Sequence, residues 1–204
     1  MNVNASIIDQ RLTQVADQIR EQATNELNIR DAERLKSLAF IFLCVKTLLD
    51  APDDESFDCL TEGGNDFGID ALHLGEEKDN EFVVTLFQGK YQKDLEGKAN
   101  FPEGGVKAAV GAVRFLFDPN SHIIVNKRLL QKVEDVRSRI RDGYIPQVRV
   151  LLCNNGLKWN DVAQGHIDRL AAGDQVNWEH VNHDRLLAIM QAIPELQDAY
   201  FPGR

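Results

Sequence analysis

Long apolar runs are missing from this chain. No stretch of about 18 apolar residues occurs, so the sequence offers no membrane-spanning helix. No secretory leader is expected either. The start, MNVNASIIDQRLTQ, has neither a basic head nor an apolar centre. Cysteine is sparse: Cys44, Cys59 and Cys153 are odd in number and far apart, with no CxxC. That spacing argues against a disulfide framework or a cysteine-rich zinc site, and it predicts reduced core thiols in a cytoplasmic protein. Positive charge is short as well. There are 23 Lys and Arg against 32 Asp and Glu, a formal net charge of -9. Affinity for nucleic acid rests largely on Lys and Arg displacing counterions, so this total counts against such a partner. A local basic surface remains compatible with it. Repeats and low-complexity tracts are absent.

What is there suffices for one good core: 204 residues, 43% of them hydrophobic. Ile7, Ile8, Leu12, Val15 and Ile19 recur at helical spacing, which predicts an amphipathic helix over roughly residues 6–27. Asn28 or Asp31 is placed to cap a second helix, over about residues 32–49, that is apolar nearly all round and therefore buried. DAPDDES breaks it. Strands follow over about residues 68–74 and 81–91, joined by GEEKDN. Helices are expected over residues 106–117, over 123–143 with a basic face, over 159–172 and over 183–193. QVRVLLCN and QVNWEHV read as further strands. The order implies an α/β fold: a mixed sheet of four or slightly more strands with helices on its faces. Residues 1–30 form a helical extension and residues 31–204 the main domain.

The hairpin carries an odd polar set. Asp70 sits in the first apolar run, and Gln88 and Lys90 end the second. Residues two apart on a strand share a face, so Gln88 and Lys90 point the same way as Leu86. A tight turn at Lys78-Asp79-Asn80 sets Asp70 opposite Leu86 or Gln88, and all three polar groups then converge. A one-residue slip would separate them. Charges leaving water need partners. One arrangement is a partly buried Asp70–Lys90 ion pair capped by Gln88. The other is a metal site: the Asp70 carboxylate, the Gln88 amide oxygen and the Gly89 carbonyl offer hard oxygen ligands suited to Mg²⁺. Lys90 would then orient or deprotonate a water and neutralise charge on a phosphate.

An Asp on one strand followed by Gln-x-Lys on the next resembles the PD-(D/E)XK nuclease core. GGNDFGIDAL is similar to the Gly-Asp-x-Gly-x-Asp signature of Mrr-like restriction endonucleases, and FQGKY to their Gln-x-Lys motif. With GKANFPE, RVLLCNNG and WEHVNHDRL, the pattern most resembles the N-terminal region of abortive-infection phage-resistance (AIPR-type) proteins, over roughly residues 32–193. The resemblance implies a restriction-endonuclease-like fold, a Mg²⁺ (or Mn²⁺) cofactor, cleavage of double-stranded DNA and a role in bacterial defence. It assigns metal binding to Asp70 and the second motif to Gln88 and Lys90. It offers Glu33, at the start of the second helix, as the helix-borne glutamate, and Asp66 as a residue that shapes the turn or helps from outside. Two departures stand out. Ile69 replaces a proline, and Gln88 replaces a carboxylate, which implies weaker metal binding completed when a phosphate arrives. Such proteins usually continue into a second region, so a short relative and an excised N-terminal domain are both compatible with this chain.

Other residues have two readings each. Tyr91, Lys93 and Lys98 either contact phosphates or lie on a solvated loop. Lys127, Arg128, Lys132, Arg137, Arg139 and Arg141 make one helix basic, which is either a nucleic-acid track or a solvated face. His180 and His183 form HxxH, but without further ligands this reads as a strand-end turn rather than zinc. CNNG reads as a turn with positive φ, and Phe115, Phe117 and Trp159 as core. The first helix either packs on its own core or forms the seam of a homodimer. Two function classes remain: a metal-dependent endonuclease (an RNase included), or a non-catalytic nucleic-acid-binding or assembly module with a decayed site.

Overall fold

The structure is a computed structural model that describes residues 1–170 and 173–192. The chain runs α1 (Val3–Leu27), α2 (Ala32–Leu49), α3 (Asp53–Asp58), β1 (Ala71–Leu74), β2 (Glu81–Lys90), α4 (Glu103–Phe117), α5 (Lys127–Arg141), β3 (Ile145–Asn154), α6 (Asp161–Asp168), β4 (Val176–Val181) and α7 (His183–Ala192). The four strands form one mixed sheet in the order β1-β2-β3-β4. The β1–β2 pair is antiparallel, and β2–β3 and β3–β4 are parallel. This is the expected α/β architecture.

Both faces of the sheet are covered, which is why β2 and β3 read as almost continuous apolar runs. On one face α1 and α2 pack against Ala71, Phe87, Leu151, Cys153 and Val181. On the other, helices α4, α5 and α6 pack against Leu72, Val84, Leu86, Val148, Val150 and Leu152. Strand alternation thus sends even-numbered β2 residues to the α4 side and Phe87 to the α2 side. α2 is buried as its composition requires: Leu38, Ala39, Phe40, Cys44 and Val45 are wholly inaccessible. Each large side chain so buried stabilises the fold by roughly 1.5–3 kcal/mol. Asp31 caps α2 by accepting the Arg34 N–H at 2.9 Å, while Asn28 closes α1 in the left-handed region at φ 54°. The three cysteines are free and buried.

The first helix packs on its own core, burying Ile8, Leu12, Val15 and Ile19. It is also tied to distant parts of the chain. The Asn2 N–H donates to the Leu95 carbonyl at 2.9 Å, Asn4 donates to Asp184 at 2.7 Å, and the Tyr91 hydroxyl donates to Asp9.

Several expectations need correction. DAPDDES ends α2 at Leu49 as expected, but its second half also opens a short helix, α3, whose three first-turn acids favour the positive end of the helix. α6 is shorter than expected, and residues 171, 172 and 193 of the expected helices lie outside the described residues. Phe117 is 36% exposed, unlike the buried Phe115 and Trp159. Neither Asn155 nor Gly156 has a positive φ. Gly156 is required by proximity instead: a Cβ there would lie 2.1 Å from the Ala99 carbonyl oxygen.

Candidate active site

The β1–β2 turn sets the site. Lys78 and Glu81 exchange two backbone hydrogen bonds, with Asp79 and Asn80 both left-handed at φ 53° and 62°. That turn pairs Ala71 with Phe87 and Leu72 with Leu86, so the register continues to set Asp70 level with Gln88. This is the convergent register. Asp70 lies just before β1, where its N–H donates to the Phe87 carbonyl at 2.9 Å.

Asp70 is not paired with Lys90. Its Oδ2 accepts the Gly89 N–H at 2.8 Å, and among the described residues Lys90 forms no ion pair. Gln88 caps neither of them. It is 2% exposed, and its Oε1 has no hydrogen-bond partner. The capped ion pair is therefore not what the fold builds. Burial pushes the Asp70 carboxyl up to about 6; Asp66 adds to the rise, while the Gly89 N–H and Lys90 oppose it.

A residue that sequence reasoning missed joins the cluster. Leu60 forms an antiparallel bridge with Ala71, and the Thr61 N–H donates to the Asp70 carbonyl at 2.9 Å. The segment before the glycine loop thereby runs along β1 and carries Glu62 in beside Asp70. Burial, then Asp70 and Asp66, push the Glu62 carboxyl up to about 7, against Arg34 and Lys90. Asp66 shapes the turn: its Oδ1 accepts the Gly68 N–H at 3.0 Å. Glu33 forms a surface ion pair with Lys93. No local signal marks Glu62, which sits between a threonine and two glycines.

Gly89 has a packing reason. A Cβ there would lie 2.0 Å from Ile41 Cδ1 on α2. Beyond Lys90, Asn155 clamps the chain. Its Oδ1 accepts the Gln92 N–H and its Nδ2 donates to the Gln92 carbonyl, both at 2.8 Å. Neighbouring Asn154 Oδ1 contacts His180 Nε2 at 2.7 Å. Burial, with Lys158 and Arg185 nearby, pushes His180 down to about 4. The histidine is neutral near pH 7 and serves this network. His183, at the start of α7, is buried.

The basic helix α5 differs most from the nucleic-acid reading. Arg128 donates to the Leu60 carbonyl at 2.8 Å and the Phe57 carbonyl at 3.0 Å, and pairs with Glu26. Lys132 faces Asp58 at 3.5 Å. Arg137 donates to the Phe115 and Asp118 carbonyls, and Arg139 to the Gly75 carbonyl. These side chains fasten α5 to its neighbours, so Arg128, Arg137 and Arg139 are structural. Lys127 and Arg141 are exposed. Tyr91 is committed to Asp9, and Lys98 lies on the surface 4.0 Å from Glu96.

Among the described residues, no three His, Cys, Asp or Glu side chains group closely enough to hold a metal ion alone. The oxygen set at Asp70 and Gln88 fits a hard cation that keeps several waters. Gln88 has an orphaned buried oxygen, and a half-turn of its amide exchanges Oε1 for Nε2 without changing its outline. Among the described residues, no helix is long and apolar enough to cross a membrane. Comparison with family models, curated proteins and solved structures finds no match to this chain.

Proposed function

We propose that this chain is a Mg²⁺- or Mn²⁺-dependent endonuclease that hydrolyses phosphodiester bonds of double-stranded DNA, acting in bacterial anti-phage or restriction defence in the cytoplasm. One observation carries the reading. An acid and a lysine stand at neighbouring strand ends without forming an ion pair, beside a buried amide oxygen that has no partner. Asp70 keeps the Gly89 N–H as its donor, but stability alone gives no reason to leave the buried Gln88 oxygen without a partner.

In this reading Asp70, Gln88 and the Gly89 carbonyl would hold the cation. The cation, when bound, polarises the phosphate and acidifies a water. Lys90 orients that water for in-line attack and offsets charge gathering on the phosphate oxygens. Glu62 adds negative charge that Gln88 does not supply. Arg34 and Lys90 limit the repulsion among the acids.

The alternative is a nucleic-acid-binding or assembly module with a decayed site. It is favoured by Gln88 itself, which removes one carboxylate from the second motif. A cleavage assay on supercoiled plasmid with Mg²⁺ or Mn²⁺ separates the two. Metal-dependent nicking is expected, reduced by roughly 10²-fold or more in Lys90→Ala and Asp70→Asn. Equal cutting by both variants would sink the assignment. No cutting of DNA or RNA by the wild type would favour the module.

A further inference from the structure

Position 88 raises a chemical question: what does an amide do there that a carboxylate would not? A carboxylate only accepts hydrogen bonds once ionised. An amide has an accepting oxygen at one corner and two donors at the other. The surroundings of Gln88 differ at its two corners. Nε2 lies 3.2 Å from where a Cβ of Gly68 would sit, in the turn that leads to Asp70. Oε1 lies 3.3 Å from the corresponding point on Gly105, in the first turn of α4.

The start of α4 is open. Pro102 occupies the cap position and gives no side-chain hydrogen bond, and the first residues are Glu103, Gly104 and Gly105. The Glu103 and Gly104 backbone N–H groups form the positive end of a 15-residue helix. A Cβ at Gly104 would meet nothing within 4 Å. The one acid of this turn, Glu103, is already engaged by Lys107 at 2.9 Å and His166 at 2.8 Å. The Gly105 N–H donates to the Pro102 carbonyl at 3.0 Å, which leaves the Glu103 and Gly104 N–H groups as the donors at this helix start that suit an anion. The unpartnered Gln88 Oε1, on a side chain 2% exposed, lies against Gly105 of the same turn.

We infer that the N-terminus of α4, together with Gln88, is a phosphate-binding subsite, and that Gln88 bridges it to the cation site. The amide takes its half-turned orientation when both sites are filled. Its oxygen then faces the Asp70 side as a metal ligand, and its NH₂ donates to a phosphate oxygen. The Gly104 N–H donates to the same phosphate. The inference rests on the nuclease reading for the identity of the anion, a phosphodiester of nucleic acid. The glutamine is then a coupling device rather than a weakened glutamate: metal and phosphate each favour the orientation the other needs.

Two variants test this. Gly104→Asp places a carboxylate at the helix start, where it favours the helix but repels a phosphate. Gln88→Glu strengthens the cation site and removes the donor. Binding of inorganic phosphate and of a short DNA duplex is measured by calorimetry with Ca²⁺ present, and binding of Mn²⁺ in its absence. Thermal melting checks the fold. Expected for Gly104→Asp is an unchanged or raised melting temperature, with phosphate and duplex affinity lower by about tenfold or more. Expected for Gln88→Glu is tighter Mn²⁺ and weaker phosphate. Wild-type phosphate binding in Gly104→Asp, or gains in both ligands in Gln88→Glu, would overturn the inference. A wild type that does not bind phosphate would overturn it too. Plasmid cleavage by wild type and Lys90→Ala reads the nuclease assignment separately. Cleavage with unaltered phosphate binding in Gly104→Asp rejects the subsite alone, and phosphate lost in that variant without any cleavage rejects the nuclease alone.

Discussion

Asp70 and Glu62 are both held as more reluctant acids than usual, chiefly by burial. An acid whose folded pKa is raised binds more protons folded than unfolded, between its ordinary and its raised value. Its contribution to stability is full below the ordinary value and is lost as pH rises through the raised one. For Asp70 the window runs from 3.8 to about 6, and for Glu62 from 4.5 to about 7. Asp9, Glu103 and Glu179 are shifted the other way, so the total curve mixes both signs. The difference between wild type and Glu62→Gln isolates one group. Glu62→Gln should gain melting temperature relative to wild type as pH rises from about 4.5 to about 7, then hold that gain. A constant difference across this range would mean that Glu62 is not strained by ionisation. Mg²⁺ should reduce the gain at pH 7.5, since a nearby cation favours the ionised acid.

At the scale of elements, α2 and β2 meet through Gly89. Ile41 Cδ1 occupies the space a larger residue would need. Gly89→Ala should therefore overpack this contact and cost about 1–3 kcal/mol in urea unfolding. Ile41→Val removes the clashing carbon, and the double variant should recover much of that loss. α5 is fastened by arginines. Arg128 binds carbonyls of α3 and the segment beyond it, and its guanidinium lies 5.6 Å from the Phe57 ring centroid. Arg128→Ala should cost roughly 2–4 kcal/mol, because buried carbonyls lose charged donors. Arg128→Lys should rescue little, since one ammonium cannot reach several acceptors in a plane. A change in DNA affinity without a change in stability would restore Arg128 to the nucleic-acid surface.

Across the whole molecule, the net charge of -9 and the committed arginines leave few cations for a backbone. The salt dependence of DNA binding should accordingly be shallow, with a log–log slope no steeper than about -3. A slope near -8 would reveal a basic track that the fold does not display. How much was legible follows the range of the interactions. α2 could be read nearly to its ends, because its apolar period and the Asp31 cap are local. The β1–β2 register could be read from the Asp79-Asn80 turn, and Asp70, Gln88 and Lys90 with it. Glu62 could not, because it reaches Asp70 only through the bridge between Leu60 and Ala71. Nor could the duty of Arg128, whose acceptors lie 68 and 71 residues away. Charge at helical spacing looks the same whether it faces solvent or a distant carbonyl.

The long-range ties of α1 have a consequence for synthesis. The helix is made before the elements it packs on: Asp9 meets its partner Tyr91 only 82 residues later, and Asn4 meets Asp184 only 180 residues later. At about 5–20 residues per second, the second interval takes on the order of 10–40 s. Throughout that time the stripe Ile8, Leu12, Val15 and Ile19 lacks its complete cover. A ribosome making this protein therefore displays an amphipathic helix to the chaperones around it until α7 emerges.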